Sequence, residues 1–166
     1  MAQGPRYKVP FRRRREGRTD YRQRARLLRA RIPRAVVRTS LNNTSVQFIQ
    51  YDAVGDRVVA SANSKELSKL GWTSSAGNIP AAYLTGYLAG KRAKKGGVEE
   101  AVLDIGLKVP AKGAAVFAAL KGMLDAGLDI PHGREILPSD ERIRGKHIGE
   151  SMEKLFVEVK GKMERD

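Results

Sequence analysis

The stretch RAVVRTSLNNTSVQFIQYDAVGDRVVAS, residues 34–61, decides the fold of this 166-residue chain. It contains three runs that are rich in β-branched and aromatic residues, at 34–39, 44–51 and 57–61. The pairs Asn42-Asn43 and Gly55-Asp56 separate these runs, and both pairs are typical of hairpin turns because Asn and Gly tolerate positive φ. The pattern predicts a three-stranded meander.

Two helices are predicted after the meander. The first, at 65–70, begins at Ser64 and ends at Gly71. The second begins near Asn78, has Pro80 in its first turn and ends at Gly96-Gly97. Small residues recur every four positions in the second helix, which indicates a face that another backbone, of protein or RNA, approaches closely; they are Ala82, Gly86 and Gly90.

The second half of the chain adds one more strand and further helices. A buried strand at 101–107 precedes an Ala-rich helix at 113–126, and this order implies a mixed sheet. Trp72 is interpreted as a packing anchor. Ser139-Asp140 is predicted to cap a further helix, and the last helix is predicted to carry an apolar stripe made of Met152, Leu155, Phe156, Val159 and Met163. The predicted fold class is α/β, a mixed β-sheet with covering helices.

The charge of the chain is concentrated at one end. The first 38 residues contain 14 Lys and Arg residues but only two acidic residues, so they carry +12 of the net +14. Thirteen of those 14 bases are Arg, whereas the other 128 residues contain six Arg and twelve Lys. Arg binds phosphate with two parallel hydrogen bonds and stacks on bases, so the Arg preference indicates a nucleic acid partner.

The basic segment divides into two parts. Residues 1–18 have too much like charge to fold alone, and we expect them to be disordered until bound. A helix is predicted from Thr19, as N-cap, to Pro33, with Asp20 in its first turn. Its apolar stripe consists of Tyr21, Ala25, Leu28 and Ile32. Basic residues flank this stripe and are predicted to contact RNA; they are Arg22, Arg26 and Arg29 on one side, and Arg24 and Arg31 on the other.

Composition excludes several kinds of site. The chain has no cysteine, and His132 and His147 lack the spacing of paired ligands, so no metal site is expected. No apolar run is long enough to span a bilayer, and no membrane association is expected. Lys112-Gly113 lacks the rest of a phosphate-loop pattern and is interpreted as a helix start.

Three alternatives remain open from the residues alone. Asp52 and Asp104 are candidates for the paired carboxylates of a two-metal RNA-processing nuclease, although a turn former and a buried ion-pair partner are favoured. The chain is also compatible with a general single-strand binder or RNA chaperone. The basic residues at 91–95 are as compatible with stabilising a helix C-terminus as they are with binding phosphate.

Several long segments, in this order, resemble the L-eighteen family of large-subunit ribosomal proteins, in its archaeal branch. They are GPRYKVPFRRRREGRTDYRQR at 4–24, PRAVVRTSLNNTSVQFIQ at 33–50, NIPAAYLTGYLAGKRA at 78–93, EEAVLDIGL at 99–107 and VFAALKGMLDAGLDIPH at 116–132. The resemblance implies a cytoplasmic, non-enzymatic ribosomal protein that binds 5S ribosomal RNA (5S rRNA). It also implies that the protein joins 5S rRNA to the large-subunit (23S-type) rRNA in the central protuberance, beside neighbouring ribosomal proteins. The implied core is ribonuclease H-like without catalysis, and neither a cofactor nor a small-molecule substrate is expected.

The resemblance also implies which residues bind RNA. Those that correspond to the family's arm are Arg6, Tyr7, Lys8, Arg12, Arg13, Arg14, Arg15, Arg18, Tyr21, Arg22 and Arg24. Arg38, Asn42 and Asn43 are weaker candidates from the body, with hairpin chemistry as the alternative. The expected organisation is a basic arm and helix at 1–33, an α/β core at 34–132 and a C-terminal loop and helical segment at 133–166.

Overall fold

The structure, a computed structural model, describes residues 4–165. Residues 1–3 of the predicted arm and residue 166 of the predicted C-terminal segment lie outside this range. The strands are β1 (Arg34–Thr39), β2 (Thr44–Gln50), β3 (Arg57–Asn63) and β4 (Val102–Asp104). The α-helices are α1 (Arg12–Arg15), α2 (Tyr21–Leu28), α3 (Ile79–Lys95), α4 (Ala115–Asp125), α5 (Asp140–Arg144) and α6 (Glu150–Arg165). Two 3-10 helices span Ser64–Leu70 and Arg134–Ile136.

The four strands form one mixed sheet in the order β3-β2-β1-β4. β1, β2 and β3 are antiparallel neighbours, which confirms the predicted meander. β4 pairs with β1 in parallel, with Arg34 opposite Val102. The predicted α/β class with a mixed sheet is therefore confirmed.

The ends of several strands differ from the prediction. β2 ends one residue early, at Gln50, and β3 continues to Asn63 because that residue still pairs with Ser45. β4 has only three residues, since Gly106 has a φ of +65° and donates its N–H to the Asp104 side chain, which turns the chain.

The predicted turns are wrong in detail. Arg31, with a φ of 58°, is the one non-glycine residue with positive φ within residues 4–165, so Asn42 and Asn43 do not use that conformation. Their loop, residues 40–43, is closed by Ser40, whose hydroxyl accepts a hydrogen bond from the Asn43 N–H (3.1 Å). Gly55 likewise has no positive φ, and the second connection, residues 51–56, is longer than a tight turn.

α3 matches its predicted bounds closely because its end signals are strong. Asn78 is the N-cap, and its side chain accepts a hydrogen bond from the Ala81 N–H (2.8 Å). The helix ends before Gly96, as predicted. The first predicted helix, at 65–70, is a 3-10 helix in the structure, and it is capped at both ends, by Asn63 and by Gly71 in the left-handed conformation.

The small-residue face of α3 receives the backbone of α4. A Cβ atom added to Gly86 would lie 2.0 Å from the Ala119 carbonyl oxygen, and one added to Gly122 would lie 2.2 Å from the Tyr83 carbonyl oxygen. The close approach predicted at this face is confirmed, and the partner is the protein's own helix rather than RNA.

Two hydrophobic clusters meet at α3. One lies between the sheet and the helices α3 and α4, and it includes Val37, Phe48 and Leu120. The other joins α3 to the 3-10 helix at Ser64–Leu70, to α5 and to α6. The predicted α6 stripe is confirmed, since it buries Met152, Phe156, Val159 and Met163 and half-buries Leu155. Trp72 is also buried in this second cluster, as expected for a packing anchor.

Candidate nucleic-acid interface

Residues 4–18 lie outside both hydrophobic clusters, and none of them is buried. The expectation of wholly disordered chain here is wrong for Arg12–Arg15, which form the one-turn helix α1. Two contacts of Glu16 stabilise this turn, since its carboxylate lies 3.7 Å from Arg12 and 3.2 Å from Arg18. The Arg13 guanidinium also donates to the Thr19 hydroxyl (2.9 Å).

α2 begins one residue later than predicted. Asp20, not Thr19, is the N-cap, and its carboxylate accepts hydrogen bonds from the backbone N–H groups of Arg22 (2.9 Å) and Gln23 (3.1 Å). The bond from Gln23 is the main cause that lowers the pKa of Asp20 below its ordinary value. The cap therefore stays ionised at neutral pH and stabilises the helix start.

α2 also ends earlier than predicted, at Leu28, well before Pro33. The left-handed conformation at Arg31 redirects the chain into β1. The predicted apolar stripe is partly wrong, because Ala25 is exposed while Gln23, Arg24 and Leu27 are half-buried. Polar and charged atoms thus contribute to the side of α2 that faces the sheet.

A charged network connects α2 to the sheet. The Asp56 carboxylate binds the guanidinium groups of Arg24 (2.8 Å) and Arg34 (2.7 Å). The Asp104 carboxylate binds Arg34 on one oxygen (2.9 Å) and Arg38 on the other (3.0 Å). Arg38 also donates to the backbone carbonyl of Asp104 (2.7 Å). The network fixes the position of α2 over the sheet.

A cleft of about 270 Å³ lies between α2 and the sheet. It opens on the sheet face opposite α3 and α4, since Val36 lines it while its neighbours in β1, Ala35 and Val37, point into the core. Five Arg and three Asp residues line the cleft, so it is net positive; they are Arg13, Arg18, Arg24, Arg34, Arg38, Asp20, Asp56 and Asp104.

The aromatic residues of the arm lie beside its bases. The Phe11 and Tyr21 rings pack against each other with centroids 5.5 Å apart. Phe11 remains 74% exposed and Tyr7 46% exposed. Two aromatic rings are therefore accessible for stacking on unpaired bases.

The predicted RNA-binding residues separate into two groups. Arg24 and Arg38 belong to the network with Asp56 and Asp104. Ten other predicted bases are exposed, and within residues 4–165 each makes either no salt bridge or a single one to Glu16. These ten are Arg6, Lys8, Arg12, Arg13, Arg14, Arg15, Arg18, Arg22, Arg26 and Arg29.

Asn42 and Asn43 lie at the tip of the hairpin between β1 and β2. The Asn43 carbonyl accepts from the Ser40 N–H (2.8 Å), which is the hairpin chemistry weighed as the alternative to RNA contact. Asn42 is exposed.

Sequence reasoning missed Arg34 and Asp56 as structural residues of this interface. Arg34 is 4% exposed, although it begins an apolar run. Charged residues in two otherwise apolar runs, Arg34 in the first and Asp104 in the second, were the available signal that the two residues pair.

The carboxylates considered for a nuclease have different environments. Asp104 is buried between two guanidinium groups. Asp52 is exposed and accepts a hydrogen bond from the Val54 N–H (3.1 Å). The interpretation as ion-pair partner and turn former is confirmed. Within residues 4–165 no group of three His, Cys, Asp or Glu side chains is placed to hold a metal ion.

The bases at the end of α3 have protein partners. Arg92 donates to the Ser61 carbonyl and to Glu66, each at 2.7 Å, and this contact lowers the pKa of Glu66. Lys91 donates to the Met163 carbonyl in α6. Separately, no helix in the described part of the chain is both long and apolar enough to cross a membrane.

Known proteins match the chain across the arm and the core. Residues 5–99 and 93–133 match the family described as ribosomal large subunit proteins 60S L5 and 50S L18. The large ribosomal subunit protein uL18 of Korarchaeum cryptofilum (strain OPF8) is 58% identical over 165 residues, which are 99% of this chain and 84% of that protein. The similarity thus includes both the basic arm and the sheet on which it packs.

Proposed function

Because this chain belongs to the uL18 family of large-subunit ribosomal proteins, in its archaeal branch, we propose that its arm binds 5S rRNA and helps attach it to the large-subunit rRNA in the central protuberance. Family membership makes the chain a non-enzymatic structural constituent of the large subunit of the cytoplasmic ribosome. The RNA partner and the location within the subunit are the proposal.

The observation that carries the proposal is the set of arm bases without protein partners. Arg22, Arg26 and Arg29 project from α2 and make no salt bridge within residues 4–165. Such uncompensated charge on a fixed helix favours a polyanion, because each phosphate bound releases condensed counterions. The exposed Tyr7 and Phe11 rings add the capacity to stack on unpaired bases, which are typical of RNA loops.

We propose different roles for the two groups of predicted residues. The exposed bases of α1 and α2 bind RNA phosphates, and Tyr7 and Tyr21 contact bases. Arg24 and Arg38 position α2 through Asp56 and Asp104 and reach RNA with the guanidinium edges that remain exposed. Asn42 and Asn43 contribute at the hairpin tip.

The test is retention of labelled 5S rRNA in the presence of Mg²⁺. We expect retention without cleavage, competition by unlabelled 5S rRNA, and weak competition by an excess of unrelated RNA. Equal competition by unrelated RNA would instead indicate a general RNA chaperone, and metal-dependent cleavage would indicate a nuclease.

A charge-matched pair of variants identifies the arm as the binding element. Neutralising four arm residues (Arg12, Arg13, Arg14 and Arg15, each →Gln) should weaken 5S rRNA binding. If the wild-type arm neutralises about six phosphates, the slope of log K against log salt is roughly −4 to −5, and the variant slope should be shallower by about 3. The control replaces four exposed lysines of the body, Lys108, Lys112, Lys146 and Lys154, with Gln. An equal loss in both variants would contradict the arm's role.

A further inference from the structure

The cleft between α2 and the sheet, which we call the α2 cleft, combines apolar side chains with charged groups. Val36 and Ile49 of the sheet line it, together with Leu27 of α2 and Leu107, which follows β4. Val36 is buried, Ile49 and Leu27 are half-buried, and Leu107 is more than half exposed. These four side chains provide an apolar surface on which a planar ring can pack.

Two carboxylates that line the α2 cleft each keep one oxygen without a partner. One oxygen of Asp20 accepts both backbone N–H groups at the start of α2, and the other makes no hydrogen bond or salt bridge within residues 4–165. One oxygen of Asp56 binds both Arg24 and Arg34, and its second oxygen likewise has no partner in that range. An ionised carboxylate only accepts hydrogen bonds, so these oxygens can bind the N–H groups of a ligand.

Hydrogen-bond donors lie beside these oxygens. Arg24 uses one terminal nitrogen for Asp56 (2.8 Å), and its other nitrogens make no hydrogen bond to the described part of the chain. Arg13 and Arg18 also line the cleft, and each binds a protein partner only through Nε. The terminal nitrogens of these two exposed guanidinium groups can therefore bind a phosphate.

The size and the chemistry of the α2 cleft favour a single nucleobase. Its volume of about 270 Å³ lies just below the roughly 300–1,000 Å³ of sites for drug-sized ligands. A base inside a duplex is stacked on both faces and paired along its edge, so only an unpaired, unstacked nucleotide can enter. The apolar side chains would cover its ring while Arg13 and Arg18 bind its phosphate.

The presence of both free acceptors and free donors favours guanine among the four bases. Guanine presents the acceptors O6 and N7 to a guanidinium group and has N1–H and N2–H donors for a carboxylate. Adenine, cytosine and uracil each have only one donor group on the base, so none of them offers two neighbouring donors. The α2 cleft thus matches guanine on both edges.

We propose that the α2 cleft binds one guanine nucleotide, with the free Asp20 oxygen accepting from the base and Arg24 donating to it. The same chemistry fits an unpaired guanosine of 5S rRNA and a free guanine nucleotide. The RNA source rests on the proposed function of the arm. Phosphate contacts by the arm carry no sequence information, whereas an occupied cleft would let the protein recognise one particular base.

The first experiment titrates the isotope-labelled full chain, without RNA, with guanosine, adenosine and inosine monophosphate (GMP, AMP and IMP). IMP lacks only the exocyclic amino group of guanine, so it removes one donor without any change in the protein. We expect GMP to bind at least about tenfold more tightly than AMP or IMP, with NMR shifts at Val36, Ile49 and Leu107. Equal affinity for the three nucleotides, or GMP shifts confined to other residues, would overturn the proposal.

Asp20→Ser tests the base-binding carboxylate while α2 keeps its start, because Ser also caps helices. The control, Asp140→Ser, makes the same change of charge in the first turn of α5, outside the cleft. We expect the affinity for GMP to fall at least about tenfold in Asp20→Ser and less than about twofold in the control. The affinity for AMP should fall in neither variant. A parallel loss of GMP and AMP binding in Asp20→Ser would show a merely structural role and contradict the proposal.

The source of the nucleotide is tested with 5S rRNA and kethoxal, a reagent that modifies N1 and N2 of unpaired guanines. If RNA supplies the nucleotide, wild type protects a loop guanine that stays reactive with Asp20→Ser. Retention of the RNA should fall less than about threefold in this variant, because the phosphate contacts of the arm remain. Selective GMP binding without such protection would support the cleft as a site for free nucleotide.

The two proposals fail separately. If wild type does not retain 5S rRNA, the proposed function of the arm fails. The comparison of GMP with AMP and IMP, which uses no RNA, then still decides whether the α2 cleft binds guanine.

Discussion

Arg34 connects the basic arm to the sheet. Its guanidinium bonds to Asp104 within the sheet and to Asp56, which in turn holds Arg24 of α2. A buried charge is tolerated only when its partners are retained, because an isolated ion in the protein interior loses its hydration. Asp104 thus stabilises the protein and does not act in catalysis.

Replacing Asp104 with Ala should therefore destabilise the protein strongly. The change leaves Arg34 buried without its partner in β4 and should lower the free energy of unfolding by about 3–5 kcal/mol. Asp52→Ala, which affects only an exposed turn, should change it by less than about 0.5 kcal/mol. Urea unfolding of both variants measures this difference, and equal stability of the two would contradict the assigned role of Asp104.

The free energy of unfolding should depend on pH in the alkaline range because of Tyr83. Burial raises the pKa of this phenol above its ordinary value, and the hydrogen bond from its hydroxyl to Asp125 (2.7 Å) raises it further. Above about pH 10 the unfolded chain loses the phenolic proton while the folded protein keeps it, so the free energy of unfolding falls as pH rises.

The fall in the free energy of unfolding that is due to Tyr83 should approach about 1.4 kcal/mol per pH unit. Denaturant titrations between about pH 9 and 11.5, run on wild type and on Tyr83→Phe, isolate it as the difference between the two proteins. Parallel curves would show that Tyr83 does not titrate differently in the two states.

At the scale of elements, the backbones of α3 and α4 approach each other closely. Gly86 and Gly122 let each helix backbone approach the other, at a distance that a Cβ atom would prevent. The spacing of small residues in α3 predicted this face, but the sequence left open whether protein or RNA covered it. The answer depends on which face of α4 packs there, and that is a long-range property.

Gly86→Ala should force the two helices apart. The added Cβ atom meets the Ala119 carbonyl at 2.0 Å, and we expect a loss of about 2 kcal/mol or more in the free energy of unfolding. Gly161→Ala is the matched control, because α6 has no atom within 4 Å of a Cβ at that position. The control should be more stable than wild type by up to about 1 kcal/mol. Thermal unfolding of the pair checks the prediction, which fails if Gly86→Ala is as stable as the control.

The helices α2 and α3 show which sequence signals determine where a helix begins and ends. α3 is capped by Asn78 and followed by Gly96, so local chemistry fixes both of its ends. The predicted end of α2 relied on Pro33, yet the helix ends at Leu28 because Arg31 turns the chain so that it can enter β1. A left-handed Arg follows from tertiary packing and has no local signature.

At the scale of the whole molecule, the core is independent of residues 4–18. None of these residues is buried, and Phe11, the largest apolar side chain among them, is 74% exposed. Deleting residues 1–18 should therefore change the free energy of unfolding by less than about 1 kcal/mol while it weakens RNA binding. Denaturant unfolding and 5S rRNA retention are the two measurements. Loss of cooperative unfolding would contradict the independence of the core.

The charge asymmetry of the chain predicted the location of the candidate interface but not its internal pairing. Arg24 belongs to the predicted basic flank of α2, yet the structure pairs it with Asp56, 32 residues away. The pairing of Arg34 with Asp104 spans 70 residues and depends on the parallel register of β4 with β1. The pattern of charges along the sequence thus predicts where a basic surface lies, whereas the ion-pair partner of each charged residue depends on the topology of the fold.

The parallel pairing of β4 with β1 also sets an order of events during synthesis. Arg34 obtains its buried partner only when Asp104 has been added, 70 residues later in the chain. At translation rates of about 5–20 residues per second, this interval is roughly 4 to 14 seconds. Until then β1 lacks part of its final environment, so the arm is synthesised several seconds before the complete sheet can form. We therefore expect the arm to be accessible to its partner before the body of the protein has folded.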